Sequence, residues 1–179
     1  MLRCRMLSLL LVLTPLIFPG APIQGSLHFT SPDGWTARPA ASTMRVAEFV
    51  LPKATGDPED GELIVYFFGG TGGSVEANIE RWIGQMQQPD GRASSEAARR
   101  SERTVNGLGV ALLDVSGTYI AEVRPGSTDR HSKPGFRMRA AVVTTPRGPF
   151  FIKAVGPAKT MQRWNDAFDA FTDSLRFQP

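Results

Sequence analysis

Along this chain the hydrophobic positions recur with two different periods, and each change of period marks an element. Glu62 to Phe68 reads ELIVYFF, rich in β-branched and aromatic residues and bounded by Asp60-Gly61 and Gly69-Gly70, which predicts a largely buried strand. Thr43 to Leu51 alternates, with Met44, Val46 and Val50 on one side and Ala47, Phe49 and Leu51 on the other, so a strand with both faces partly covered is expected. Gly109 to Val115, GVALLDV, predicts a further buried strand that passes Ser116-Gly117-Thr118-Tyr119 and continues to Val123. Met138 to Thr145 and Phe150 to Val155 flank Pro146-Arg147-Gly148-Pro149 as the arms of a hairpin covered on both sides.

Two segments switch to helical spacing. At about 100° per residue, Val75, Ile79, Trp82, Ile83 and Met86 share one face, and so do Met161, Trp164, Phe168, Phe171 and Leu175 near the end. Strands near 43–51, 62–68, 108–123, 138–145 and 150–155, with one helix after the second strand and one last, predict an α+β domain: an antiparallel sheet flanked by helices on both faces, an α/β/α sandwich. His28-Phe29-Thr30 adds a short first strand, Ser31-Pro32-Asp33-Gly34 a turn, and Trp35 a lid on the core.

The polar stretches carry the candidate surfaces. Gln87 to Asn106 is almost free of large apolar residues and clusters Arg99, Arg100 and Arg103 beside Glu96 and Glu102; it reads as a long loop or a short exposed helix. Residues 124–137 read as a second polar loop, and long loops in small domains are often functional.

Between strand and helix, Gly69-Gly70-Thr71-Gly72-Gly73 permits a sharp turn, and Ser74 is placed to cap the helix. A phosphate loop would need a lysine after the last glycine, where Ser74-Val75-Glu76 stands instead, and the dinucleotide pattern breaks at Val75. On the helix flank Asn78, Arg81 and Gln85, spaced by three and four, form a polar stripe. Such a stripe most often bonds neighbouring loop backbone; the alternative is a binding surface, to which Asp114 and Thr118 are added as polar candidates. Asp114 beside Ser-Gly can equally satisfy its own turn.

Arg3 and Arg5, the twelve-residue apolar run Leu7 to Phe18 and small residues towards Gly25 have the layout of a secretory signal, too short to cross a ~30 Å hydrocarbon core. Cleavage near Gly25 would leave residues 26–179 as one domain, exported to the periplasm or beyond, with no stable membrane span. It also removes two arginines from 20 basic residues and none of the 17 acidic ones, so the balance falls from +3 to +1. The strongly basic footprint of a nucleic-acid binder is missing.

The only cysteine, Cys4, goes with the signal, so a cysteine nucleophile is excluded, and a serine mechanism would have to recruit His28 or His131, neither in a recognisable motif. Asp129 and His131 alone do not make a metal site. Neither an enzyme nor a cofactor is indicated.

Three blocks carry a resemblance: Asn78-Ile79-Glu80-Arg81-Trp82-Ile83-Gly84-Gln85, Asp114-Val115-Ser116-Gly117-Thr118-Tyr119, and Pro149-Phe150-Phe151-Ile152-Lys153-Ala154-Val155-Gly156-Pro157. Over residues 29–177 the sequence resembles the PsbP-like fold family, nearest to its exported bacterial members of unassigned function. The resemblance implies a small accessory domain rather than an enzyme, binding another protein through its loops. The alternative is a small, possibly anionic, ligand held by Gly70, Gly72, Gly73 and Ser74 together with Asp114 and Thr118, because a helix start presents free N–H groups.

Overall fold

The computed structural model describes residues 25–179; apart from Gly25, the segment read as a signal lies outside them. The elements are β1 (Ser26–His28), β2 (Thr36–Arg38), β3 (Arg45–Leu51), β4 (Gly61–Phe67), α1 (Val75–Ile83), β5 (Met86–Gln87), α2 (Ser94–Ala97), β6 (Arg99–Val105), β7 (Leu108–Tyr119), β8 (Lys133–Thr144), β9 (Phe150–Pro157), α3 (Ala158–Arg163), α4 (Asn165–Asp173) and β10 (Arg176–Gln178). β1 and β10 pair as a separate ribbon, and the rest form an eight-stranded sheet in the order β2-β3-β4-β9-β8-β7-β5. Every pairing is antiparallel, and β6 joins β7 beside β5, so the two share one edge of the longest hairpin strand.

The sheet is covered on both faces, as the double-sided strands require. On one, Ile79, Trp82 and Ile83 of α1 pack on Leu113, Val115, Met138, Ala140, Val142 and Phe151. On the other, Phe168 and Phe171 of α4 and Met161 of α3 pack on Leu63, Val65, Ala141, Val143 and Ile152. Trp35 is the lid it was expected to be, 8% exposed and against Phe49 and Phe171 at 5.8 and 5.5 Å between ring centres. The fold class is therefore the predicted one.

Four expectations need correction. Residues 87–106 are not a loop: they hold β5, α2 and the seven-residue strand β6, which hairpins into β7 through Asn106 (φ 48°) and Gly107 (φ 82°). Both central residues are left-handed, the geometry that Asn-Gly adopts between paired strands. β8 starts at Lys133, so Arg137 stands on a strand and not in the polar loop. The last helix breaks at Trp164 (φ −96°, ψ 13°) into α3 and α4, whose ring Nε1 donates to Pro52 O at 2.8 Å. On β3 the Ala47, Phe49 and Leu51 side is core, whereas Met44 and Val46 are 51% and 45% exposed.

The described chain enters beside the β8–β9 turn, where Arg147 Nη1 donates to Gly25 O at 2.9 Å. β9 runs from that turn to Pro157, where α3 begins at the other end of the sheet.

Candidate functional site

The helix after the glycine corner starts where the sequence says it should. Ser74 Oγ accepts from Ala77 N at 3.1 Å, and Glu76 stands in the first turn. The corner itself is closed. Asn78 Nδ2 donates to Gly72 O and Ser74 O at 2.8 and 2.9 Å, and a Cβ on Gly72 would meet the Phe151 ring at 2.3 Å. Gly72 is required by close approach to a core aromatic, not by an incoming ligand; Gly70 and Gly73 supply the positive φ values of the turn.

The stripe divides. Asn78 is buried and accepts from Arg81 Nη2 at 2.7 Å, so both serve the corner. Gln85 instead accepts from Lys153 Nζ at 2.7 Å, and Lys153 also donates to Tyr119 Oη at 2.9 Å. Burial pushes the Lys153 ammonium down to about 8, with nearby Glu62 opposing and Arg81 adding to the shift. Burial likewise pushes the Tyr119 hydroxyl up. The sequence did not single out Lys153, because a lysine inside FFIKAV carries no motif; its one signal is a charge in a run otherwise apolar on both sides.

Asp114 lies on the opposite face of the sheet, so it cannot share a pocket with the glycine corner. Its carboxylate takes a two-pronged bond from Arg137, Nε to Oδ1 at 2.8 Å and Nη2 to Oδ2 at 2.6 Å. Arg137 goes on to Gln162 Oε1 at 3.0 Å and Asn165 Oδ1 at 3.1 Å, and the bonded Asp114 carboxylate, with Asp169 adding, holds its guanidinium above its ordinary pKa against burial. Arg139, one pair along β8, bonds Asn165 O and Asp169 and lies 4.3 Å from the Phe168 ring centre. Thr118 pairs with Gln87 of β5.

Beside Asp114 opens a cleft of about 410 Å³, walled by Arg99 and Arg92, by Arg137 with Gln162, and by Gln88. Its lining joins residues of 87–106 and Arg137 to Asp114, Val115 and Ser116 of β7 and Ala158 of α3. Gln88 fixes one wall, donating to Ser116 O at 2.9 Å and to Ser94 Oγ at 3.2 Å, while Ser94 Oγ donates to Met86 O. Arg99 sits directly opposite Asp114 across the β6–β7 pairing. Among the described residues Arg99 has no ion-pair partner, whereas Arg92 bonds exposed Asp90 at 3.2 Å and Arg137 is committed to Asp114. The cleft therefore presents guanidinium groups around one carboxylate that is already spent, an arrangement suited to receiving another carboxylate or phosphate.

On β1, Ser26 Oγ and His28 Nε2 are 2.8 Å apart, and among the described residues no carboxylate orients the ring. Likewise, among these residues no group of three His, Cys, Asp or Glu could hold a metal ion, and no helix is long and apolar enough to cross a membrane.

No family model and no curated protein matches the sequence. Solved structures do match the fold. LpqN of Mycobacterium tuberculosis, described as involved in cell envelope biogenesis, aligns with a TM-score of 0.54 at 14% identity over 89% of this chain and 87% of that one. PA94 of Pseudomonas aeruginosa, described as a protein of unknown function and putative regulator, aligns at 0.50 and 13% identity over 87% and 98%. Cyanobacterial PsbP (CyanoP) from Synechocystis aligns at 0.46 and 16% identity over 92% and 100%. At these identities the likeness is one of fold alone, and the fold that LpqN and PA94 share with this chain is the α+β class the sequence predicts, an antiparallel sheet between helices.

Proposed function

We propose that this chain is an exported, non-catalytic accessory domain that binds another protein across the flank built by residues 88–105 and Arg137. The observation that carries the reading is Arg99: a guanidinium without an ion pair among the described residues, at the mouth of a cleft whose other groups are fixed. Desolvating a free cation is unfavourable unless a partner supplies the countercharge, so such a group selects for an acidic contact. The envelope role stated for LpqN supports the exported setting.

Cross-linking tests it. A photoreactive residue at Ala97, on the cleft wall, captures one dominant protein in the native cell envelope, and the same probe at Val46, on the exposed end of β3, does not. Capture from Val46 alone would overturn the assignment of the flank.

A second reading is favoured by the cleft volume, which falls in the range of small-molecule sites: a free anionic ligand bound there rather than at the closed glycine corner. It predicts a rise in thermal midpoint with millimolar phosphate or citrate that Arg99→Gln removes.

A further inference from the structure

β6 is a seven-residue strand with only one neighbour. Its inner side pairs with β7 from Arg99↔Asp114 to Val105↔Leu108, and among the described residues no strand pairs with its outer side. A free row of backbone N–H and C=O groups is a template for another strand, and folds commonly guard such edges with charge. Here the guard is not uniform. Arg100 is held by Glu76 and Glu80 of α1 on one face, and Arg103 by Asp173 and Thr172 of α4 on the other. That fixes the strand between the two helices with those charges already neutralised. Arg99 and Glu102 have no ion-pair partner among the described residues, and their odd spacing puts them on opposite faces.

We propose that an extended segment of a partner protein adds as a strand to the free edge of β6, with an acidic residue opposite Arg99 and a basic residue three positions away opposite Glu102. This rests on the reading above, that the cleft flank is the binding surface, and names what the flank recognises. Directly opposite residues of paired strands lie on one face and interact when oppositely charged. The acidic side chain therefore enters on the cleft side towards Arg99 and Arg92, and the basic one lies on the α1 side. Backbone bonding supplies the attachment and the two charges set the register.

The occupant is not a second β6. In a symmetric antiparallel pair the opposed residues must share a face, so Arg99 can never oppose Glu102 of the other copy. Centring the pair on Ser101 would instead set Arg99 against Arg103. A foreign segment with acid and base three apart meets no such conflict.

The test uses the folded protein and short peptides, followed by amide chemical shifts of residues 99–105. The probe is a blocked heptapeptide of Thr and Val with Lys at its fourth position and Glu at its seventh, so that in antiparallel register with Arg99–Val105 the Lys faces Glu102 and the Glu faces Arg99. It binds at millimolar concentration with shifts confined to β6 and the cleft, and the protein remains monomeric. Exchanging the Lys and Glu weakens binding about tenfold, Arg99→Gln about fivefold, and N-methylation of alternate amides, in either phase, abolishes it in one of the two. Absence of binding, equal binding of the exchanged peptide, or equal binding of both N-methylated peptides overturns the proposal. If the peptides fail while cross-links from Ala97 still capture a protein, strand addition is wrong and the binding flank stands; if cross-links arise only elsewhere, the flank itself is wrong.

Discussion

Lys153 and Arg99 are cations on the same sheet, and they differ in what surrounds them. Under α1, Lys153 donates hydrogen bonds to Gln85 and Tyr119, both neutral groups of its own fold, and is depressed to about 8 because burial outweighs the opposing charge of Glu62. On the α3–α4 side the arginines meet carboxylates first: Arg137 has Asp114, Arg139 has Asp169, and the excess is left on exposed Arg99 at the edge. A closed polar cluster contributes to stability and its pH dependence; an open one leaves a group whose best partner must come from outside. That difference is the ground for the proposal that binding takes place on the second face.

The comparison can be tested at three strengths. The largest effects come from the aromatic anchors of each face: Trp82→Ala under α1 and Phe168→Ala in α4, 2% and 1% exposed, are each expected to cost about 3–5 kcal/mol in urea unfolding. A loss below ~1 kcal/mol on one side would show that side to be poorly packed.

Next comes Lys153. Its folded pKa lies below its ordinary value of 10.5, so between about pH 8 and 10.5 the unfolded chain binds the extra proton and stability rises with pH. The shift corresponds to at most about 3 kcal/mol. Lys153→Met is expected to flatten that rise in denaturation curves taken at pH 8 to 10. Tyr119, raised by burial, acts in the other sense above pH 10, where the unfolded phenol ionises first and stability falls. A rise that survives in the Met variant would assign it to another group.

The smallest effect is on the open side. Asp114→Asn strands a guanidinium that keeps Gln162 and Asn165 as acceptors, so the expected loss is about 1–3 kcal/mol. A double-mutant cycle with Arg137→Gln should recover part of it, and no coupling in that cycle would mean that the pair is held by packing alone.

What the sequence made readable follows the same division. The apolar runs 62–68, 138–145 and 150–155 stand within a few residues of β4, β8 and β9, and Ser74 caps α1 as its position suggested, because burial writes itself into period and composition. β6 escaped because Arg-Arg-Ser-Glu-Arg-Thr has no hydrophobic period at all: Arg100 and Arg103 are satisfied instead by acids of α1 and α4 that are distant in sequence. One local signal was there, Asn106-Gly107 between Val105 and Leu108. The cleft was half readable. Both polar segments and Asp114 were singled out, but the placement of Arg137 opposite them depends on the β7–β8 register, and Lys153 with Tyr119 on a contact across 34 residues. The pairing of Asp114 with the glycine corner failed because strand alternation sends them to opposite faces.

The entry point of the chain bears on how this surface would be displayed. Gly25 is held at the β8–β9 turn, whereas the cleft reaches Ala158, one β9 length away, about 26 Å at 3.3 Å per residue. Were the domain moored by its leading residues to any flat support, the Ala158 end of the cleft would stand off by the length of β9, and Arg99, level with Ala154 through Asp114 and Arg139, by about 13 Å. A partner strand would then reach the Arg99 end of β6 from open solution, whereas the Val105 end, level with Thr144, lies on the side of the support, so a label or linker attached before Gly25 would leave the Arg99 end the freer of the two.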